Sequence, residues 1–471
     1  MLVFFMVLWV HKSHAQQNNT LYFMQSVPQA SYLNPALSIP CNYLGLPLIS
    51  SFYIDIGNTG FSYNQLFPIQ GSSRIVDFTF LEKNLHRLDL MNFQLHTDLF
   101  SLGWWRNDYF FTFKITEKVN LFFSYPKQLF LLPWKGNTPY VGETVEISRA
   151  GIDFHYYREY ALSASTWIRD HLKLGVRAGL LFGKLNLHTH HENFSIHTQA
   201  VTHNLDISGR YSINASAPLR IAENDDGTIK AIRLRDELSI RKMLLNRKNP
   251  GFKLDAGFMY DGVDKWSIQG GINDLGLIYW SADLHTAEVK QQYQFEGFEE
   301  GDLQNSDIDE FIVNTLYNSY ETTLTHKPYI TMLPLKTYFG AAYRANKHLR
   351  TGILQRNLLY NWHIYPSLVM SLNVDVTDFL SLSGSYAYNK HSFRNFGAGI
   401  ALQNNRMQFY MVTDNLSAVR PLDAKNINIL FGFNLFFGCS DNADERYDAR
   451  TPSSPGCFWI ERRLENEKIL P

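Results

Sequence analysis

"NINILFGFNLFF", residues 426–437, is the stretch whose reading decides the fold. From Ile427 every second residue is large and apolar (Ile427, Ile429, Phe431, Phe433, Leu435, Phe437), and between them stand Asn428, Leu430, Gly432, Asn434 and Phe436. A period of two places the two sets on opposite faces of one strand. What has to be decided is the solvent that each face meets.

The pattern recurs along the chain. In "LKLGVRAGLLFG" one face carries Leu172, Leu174, Val176, Ala178, Leu180 and Phe182, and the other carries Lys173, Gly175, Arg177, Gly179, Leu181 and Gly183. "SLVMSLNVDV" (367–376), "LSLSGSYAY" (380–388) and "NFGAGIALQ" (395–403) repeat the scheme, with Ser, Gly, Ala and Asn opposite Leu, Met, Val, Tyr, Phe and Ile. A soluble sandwich buries one apolar face and turns Lys, Glu and Thr outward. Small residues instead suit the converging interior of a closed barrel, and large aliphatic and aromatic residues suit a wall that meets lipid. The expected fold class is all-β, a transmembrane antiparallel barrel of about 14 strands within a range of about 12–16. Trp104, Trp105, Tyr109 and Trp280 are read as interfacial aromatics near strand ends.

Composition agrees. The net charge is −1 and aromatics make up 15% of 471 residues, so no basic surface points to nucleic acid and no acidic tail to disorder. No linker rich in Pro, Gly and Ser divides the chain, and no apolar run reaches the ~18 residues that a membrane helix needs. The longest apolar stretch, Leu2 to Val10, precedes Ser13-His14-Ala15 and reads as a signal peptide over residues 1–15, although no Lys or Arg precedes its core. Residues 16–50 are then a hatch segment, 51–437 the barrel with a long loop at 284–335, and 438–471 a polar periplasmic tail.

Candidate strands lie at 51–63, 93–103, 108–116, 119–125, 151–158, 160–168, 172–187 and 204–213 in the N-terminal half. Beyond residue 251, short connections at 261–265, 344–348, 375–378 and 403–406 alternate with longer ones at 284–335, 357–365, 389–395 and 414–425. Short periplasmic turns and long outer loops are the outer-membrane arrangement. The expected location is the bacterial outer membrane, with its lipid as the surrounding partner.

"SYLNPAL", with Asn34, Pro35 and Ala36, resembles the N-terminal hatch of the long-chain fatty-acid transporter superfamily of outer-membrane barrels. More closely, "MQSVPQASYLNPA", "GLPLISSFYIDIGNTGFSY", "INDLGLIYW" and "VTDN" with "NINILFGFN" resemble a family of Bacteroidota barrel proteins with no established activity. The resemblance spans nearly the whole chain. It implies a barrel of roughly 14 strands with an N-terminal plug. One branch of the superfamily moves hydrophobic compounds through a side opening, and another is an accessory subunit of the type IX secretion apparatus. The leading expectation is a barrel that binds or transports a hydrophobic small molecule. The alternative is a non-catalytic accessory or structural subunit of an outer-membrane complex, with a protein partner on the tail or on loop 284–335.

Several local features have plainer readings. His188, His190, His191, His197 and His203 cluster in "LHTHHENFSIHTQAVTH", but without fixed ligand spacing they read as a polar hairpin beyond the membrane rather than a metal site. "SDIDEFIVNTLYNSY" opens with a capping pattern, Ser306 and Asp309, and predicts a short helix in an acidic, solvated loop. Of three cysteines, Cys439 and Cys457 bracket the tail and in an oxidising compartment either pair or stay free, while Cys41 stands apart. No nucleophile elbow, Gly-rich phosphate loop or Cys-x-x-Cys occurs, so neither an enzyme nor a cofactor is expected.

Overall fold

The computed structural model describes residues 19–223, 229–234, 247–263, 265–295, 321–360, 363–389 and 392–438. Fourteen antiparallel strands form a closed barrel. The first, β1, is broken into Asn42–Gly45 and Phe52–Asn58; β2 is Leu88–Arg106, β3 Tyr109–Pro126, β4 Gly151–Arg169, β5 Leu172–Thr198, β6 Pro250–Val263 and β7 Trp266–Trp280. The eighth, β8, is again broken, into Tyr329–Met332 and Leu335–Arg344; β9 is Leu349–Tyr360, β10 His363–Asp375, β11 Leu380–Asn389, β12 Ser392–Gln403, β13 Met407–Thr413 and β14 Asn426–Phe437. Closure is made where β14 pairs with both halves of β1, Asn42 opposite Phe437 and Phe52 opposite Phe431. The upper part of β5 leaves the barrel and pairs with Leu205–Ser216, which pairs in turn with Leu284–Phe295, so a sheet stands above the rim.

The two faces have the polarity expected of a membrane wall. On β5, Val176 is 61% exposed while its neighbour Arg177 is 2% exposed. The opening stretch behaves as read: Ile429 and Phe437 face out, and Asn428, Leu430 and Asn434 are buried inward. Apolar side chains outside and charges inside invert the distribution of a soluble protein. Among the described residues no helix is long and apolar enough to cross a membrane. A closed barrel with an apolar belt is a protein of the bacterial outer membrane.

Among the described residues the outer wall carries one charged cluster that breaks its own rule. Glu117 on β3, Arg158 on β4 and Lys184 on β5 share the lipid-facing side, where Arg158 Nε donates to Glu117 Oε1 at 2.6 Å and Lys184 Nζ to both Glu117 oxygens at 2.7 Å. The Lys184 ammonium also sits over the Tyr156 ring, 4.7 Å from its centre. A charge against lipid is tolerated when it is paired and covered, and this triad is both.

Four readings need correction. Residues 108–116 and 119–125 are one strand, β3, and 151–158 and 160–168 are one strand, β4. Lys118 and Glu159 interrupt the apolar text there, but both project into the lumen. The connections read as long at 357–365 and 389–395 are tight, since pairing runs to Tyr360 opposite His363 and to Asn389 opposite Ser392. Trp105 and Trp280 belong to the interior: Trp105 Nε1 donates to the Ile39 carbonyl and Trp280 is fully buried. Finally, the wall already begins at Asn42, inside the segment assigned to the hatch, because the break at residues 46–51 hides the first half of β1. The signal peptide, the helix at 306–316, the acidic loop and the tail beyond Gly438 lie outside the described residues.

Candidate functional site: a charged chamber in the lumen

The floor of the lumen is the N-terminal plug, residues 19–41. Two short 3-10 turns, Thr20–Phe23 and Pro28–Tyr32, lay Leu21, Tyr22, Phe23, Met24, Val27 and Leu33 against inward side chains of the wall such as Leu354, Val369, Tyr410 and Leu430. Polar contacts fix the ends. Asp414 accepts from the Asn19 and Thr20 amides at 2.8 Å, and Gln29 and Asn434 exchange a reciprocal amide pair at 2.8 and 3.0 Å.

Asn34, Pro35 and Ala36 sit where the plug touches β5 and β6. Asn34 Oδ1 accepts from the Ala36 amide at 3.0 Å and its Nδ2 donates to the Phe258 carbonyl at 3.1 Å. Asn273 donates to the carbonyls of Tyr32 and Leu33, and Arg177 to those of Ser31 and Tyr32. Glycine is required opposite this turn. A Cβ on Gly175 would lie 2.2 Å from the Pro35 carbonyl group, and one on Gly257 would lie 2.0 Å from Asn34 Oδ1. The tripeptide and these two glycines form one joint.

Above the plug lies a cavity of about 70 Å³, room for a few waters or one small polyatomic group. Lys114, Lys118, Arg177, Lys253 and Lys336 line it, against two carboxylates, Asp98 and Asp274. Glu159 and Asp255 stand behind the lysines. Glu159 meets Lys118 at 2.6 Å and Lys253 at 3.1 Å; Asp274 meets Lys253 at 2.9 Å and Lys336 at 3.0 Å; Asp255 meets Arg177 at 2.9 Å. Asp98 accepts from the Tyr32 hydroxyl and from Thr116 Oγ1.

The roof is made by the walls themselves. Two inward positions above Lys118, Phe122 on β3 stacks on Tyr360 of β9, with ring centres 4.7 Å apart, and Leu90 and Leu358 join them. Tyr157, Leu181, Ile278, Trp280, Leu284 and Leu333 form a second apolar cluster. Strands from opposite sides of the barrel are therefore in contact above the chamber.

Next to this roof, Asp153 Oδ1 meets His155 Nδ1 at 3.2 Å and His155 Nε2 meets Thr331 Oγ1 at 2.9 Å. The order acid, imidazole, hydroxyl is that of a nucleophilic triad. Here, however, Thr331 Oγ1 also accepts from Trp280 Nε1 at 2.8 Å, His188 shares Asp153, and none of the three groups lines the chamber. The arrangement holds the walls together.

Of the other histidines, His197 Nδ1 lies 3.1 Å from Thr144 Oγ1, and no metal-binding group of three is present among the described residues. Cys41 is disulfide-bonded, while Cys439 and Cys457 lie outside the described residues. In the outer loops the Glu82 carboxyl is held below its ordinary value by hydrogen bonding to Lys135, and burial pushes the Lys425 ammonium down where it donates to the Thr59 and Gly60 carbonyls.

Among solved structures the chain is similar to a FadL homologue of Pseudomonas aeruginosa (11% identity, TM-score 0.40, 91% of this chain and 100% of that one). It is also similar to the toluene transporter TbuX of Ralstonia pickettii (9%, 0.41, 87% and 94%) and to the toluene transporter TodX of Pseudomonas putida (7%, 0.35, 90% and 94%). No functionally curated protein matches. Residues 35–414 match the model of a family of unknown function, DUF5723, and the chain belongs to that family.

Proposed function

We propose that the protein is a gated outer-membrane barrel that binds a hydrophobic small molecule in its lumenal chamber and passes it inward. The observation that supports this reading is the chemistry of the roof. Phe122, Tyr360, Leu90 and Leu358 meet through apolar side-chain surfaces, with the Tyr360 hydroxyl hydrogen-bonded to Asp153 beside them. A hydrophobic solute replaces such contacts at little cost, whereas a hydrated ion would have to shed its water to enter.

A filled lumen also favours a second reading, that of an accessory subunit whose barrel only holds a partner in the membrane. Liposome uptake separates the two. The purified protein should admit a fluorescent hydrophobic solute faster than protein-free vesicles, and Phe122→Ala combined with Leu358→Ala should raise the rate further. Uptake equal to that of empty vesicles for both proteins would reject gating and leave the accessory reading.

A further inference from the structure

The charges around the chamber do not cancel. Five cations, Lys114, Lys118, Arg177, Lys253 and Lys336, face four carboxylates, Asp98, Glu159, Asp255 and Asp274. Asp98, Asp255 and Asp274 already have hydrogen-bond partners, and Glu159 lies in ion-pair range of Lys118 and Lys253. Asp98 is capped by Tyr32 and Thr116, and Asp274 is held between Lys253 and Lys336. Lys114 is the loosely held member: among the described residues its carboxylate contact is Glu159 at 3.7 Å, and otherwise its ammonium stands over the Tyr32 ring, 3.9 Å from the centre. Across the same cavity the Tyr53 hydroxyl is buried, with no hydrogen-bond partner among the described residues. A buried ammonium short of acceptors and a buried hydroxyl short of any partner are two independent signs of a missing acceptor.

We infer that the chamber is an oxyanion site: a carboxylate or phosphate group sits between Lys114, Lys118, Lys336 and the Tyr53 hydroxyl. A cation is disfavoured because it would add to the surplus of like charge, and a neutral polar group would leave that surplus uncompensated. An oxyanion supplies acceptors for the ammonium donors and for the hydroxyl in charge-assisted hydrogen bonds. The cavity, at about 70 Å³, accepts the head of an amphiphile but not its apolar body. That body would lie against the apolar roof. The assignment of a head group to a transported ligand rests on the gating reading, but equilibrium binding of the anion does not.

The test is isothermal titration of the purified full-length protein in detergent with inorganic phosphate, acetate, octanoate, octylamine and octanol. One anion-binding site is expected, weakened at least tenfold in Lys114→Met and several-fold in Tyr53→Phe, which keeps the ring and removes only the hydroxyl. Saturation by phosphate or acetate identifies a free oxyanion. Binding of octanoate alone identifies the head group of an amphiphile. Either result sustains the site, even if the uptake assay fails. The inference is overturned if octylamine or octanol binds as tightly as octanoate, if none of the five binds the folded wild type, or if Tyr53→Phe folds and binds unchanged.

Discussion

Adding one methyl group at Gly175 should unseat the plug. The Cβ of Gly175→Ala would stand 2.2 Å from both the carbonyl carbon and oxygen of Pro35 and 2.4 Å from the Ala36 amide nitrogen. Carbon atoms normally rest about 3.5–4.0 Å apart, so something must move by more than an ångström. The strand is held by ladders on both sides, from β4 and β6. The plug turn is held by a handful of hydrogen bonds, so the plug yields. Overpacking of this kind costs about 1–3 kcal/mol. At about 1.4 kcal/mol per factor of ten, the ratio of docked to undocked plug should fall roughly 5- to 150-fold. Hydrogen exchange of residues 20–37, followed by mass spectrometry in native detergent, reads that ratio directly. Gly384→Ala is the control, because nothing lies within 4 Å of its Cβ position. Exchange in Gly175→Ala that matches both the wild type and the control would refute the joint between plug and wall.

Other expectations test the wall and the tail. Phe431, on the lipid side of β14 with its ring 5.3 Å from that of Phe52, should cost roughly 2–4 kcal/mol as Phe431→Arg if it lies at mid-bilayer depth, read as lost heat-modifiable assembly on gels. Glu117→Gln should impair assembly more than replacing Glu117, Arg158 and Lys184 together with Leu, because it leaves two cations uncompensated against lipid; equal effects would discount the triad. Removal of residues 440–471 should leave a folded barrel, since β14 already closes on β1 through Phe437, the last paired residue among those described. Non-reducing peptide mapping should join the Cys41 peptide to a tail cysteine, with Cys439 favoured because Asn42 stands opposite Phe437, and a Cys439–Cys457 peptide would contradict this.

Much of the wall was legible because lipid imposes a period of two on every strand, and "NINILFGFNLFF" kept that period without interruption. The errors have local causes. A bulge around Asp274, whose φ is 62°, shifts the parity of β7, so that Ile272 faces out but Ile278 and Trp280 face in. A second bulge, between Asp98 and Phe100, does the same for Trp105. The Asn34-Pro35-Ala36 turn was found through resemblance alone, because what it serves, the clearance at Gly175 and Gly257, lies far along the chain. The chamber was invisible for the same reason. Arg177 and Asp255 are 78 residues apart, and Lys336 and Asp274 are 62 apart, so no short spacing announces them. Lys173 and Arg177 on a face of glycines were the one available hint.

The seam between β1 and β14 has a consequence for how the molecule is made. Gln29 and Asn434, which grip each other beneath the seam, are separated by 405 residues. Bringing such distant points together costs about 5 kcal/mol of chain entropy before any contact repays it. Until residues 426–437 arrive, β1 and β13 each present an unpaired edge, and such edges recruit other chains. The plug turn at Asn34 meets β5, β6 and β7 well before the end of the chain, whereas Leu21, Tyr22, Phe23 and Leu33 pack on Leu354, Val369, Tyr410 and Leu430 of the later strands. The last strand thus completes the wall and the seating of the plug in one step, and the time spent waiting for it is when the unfolded chain most needs a chaperone.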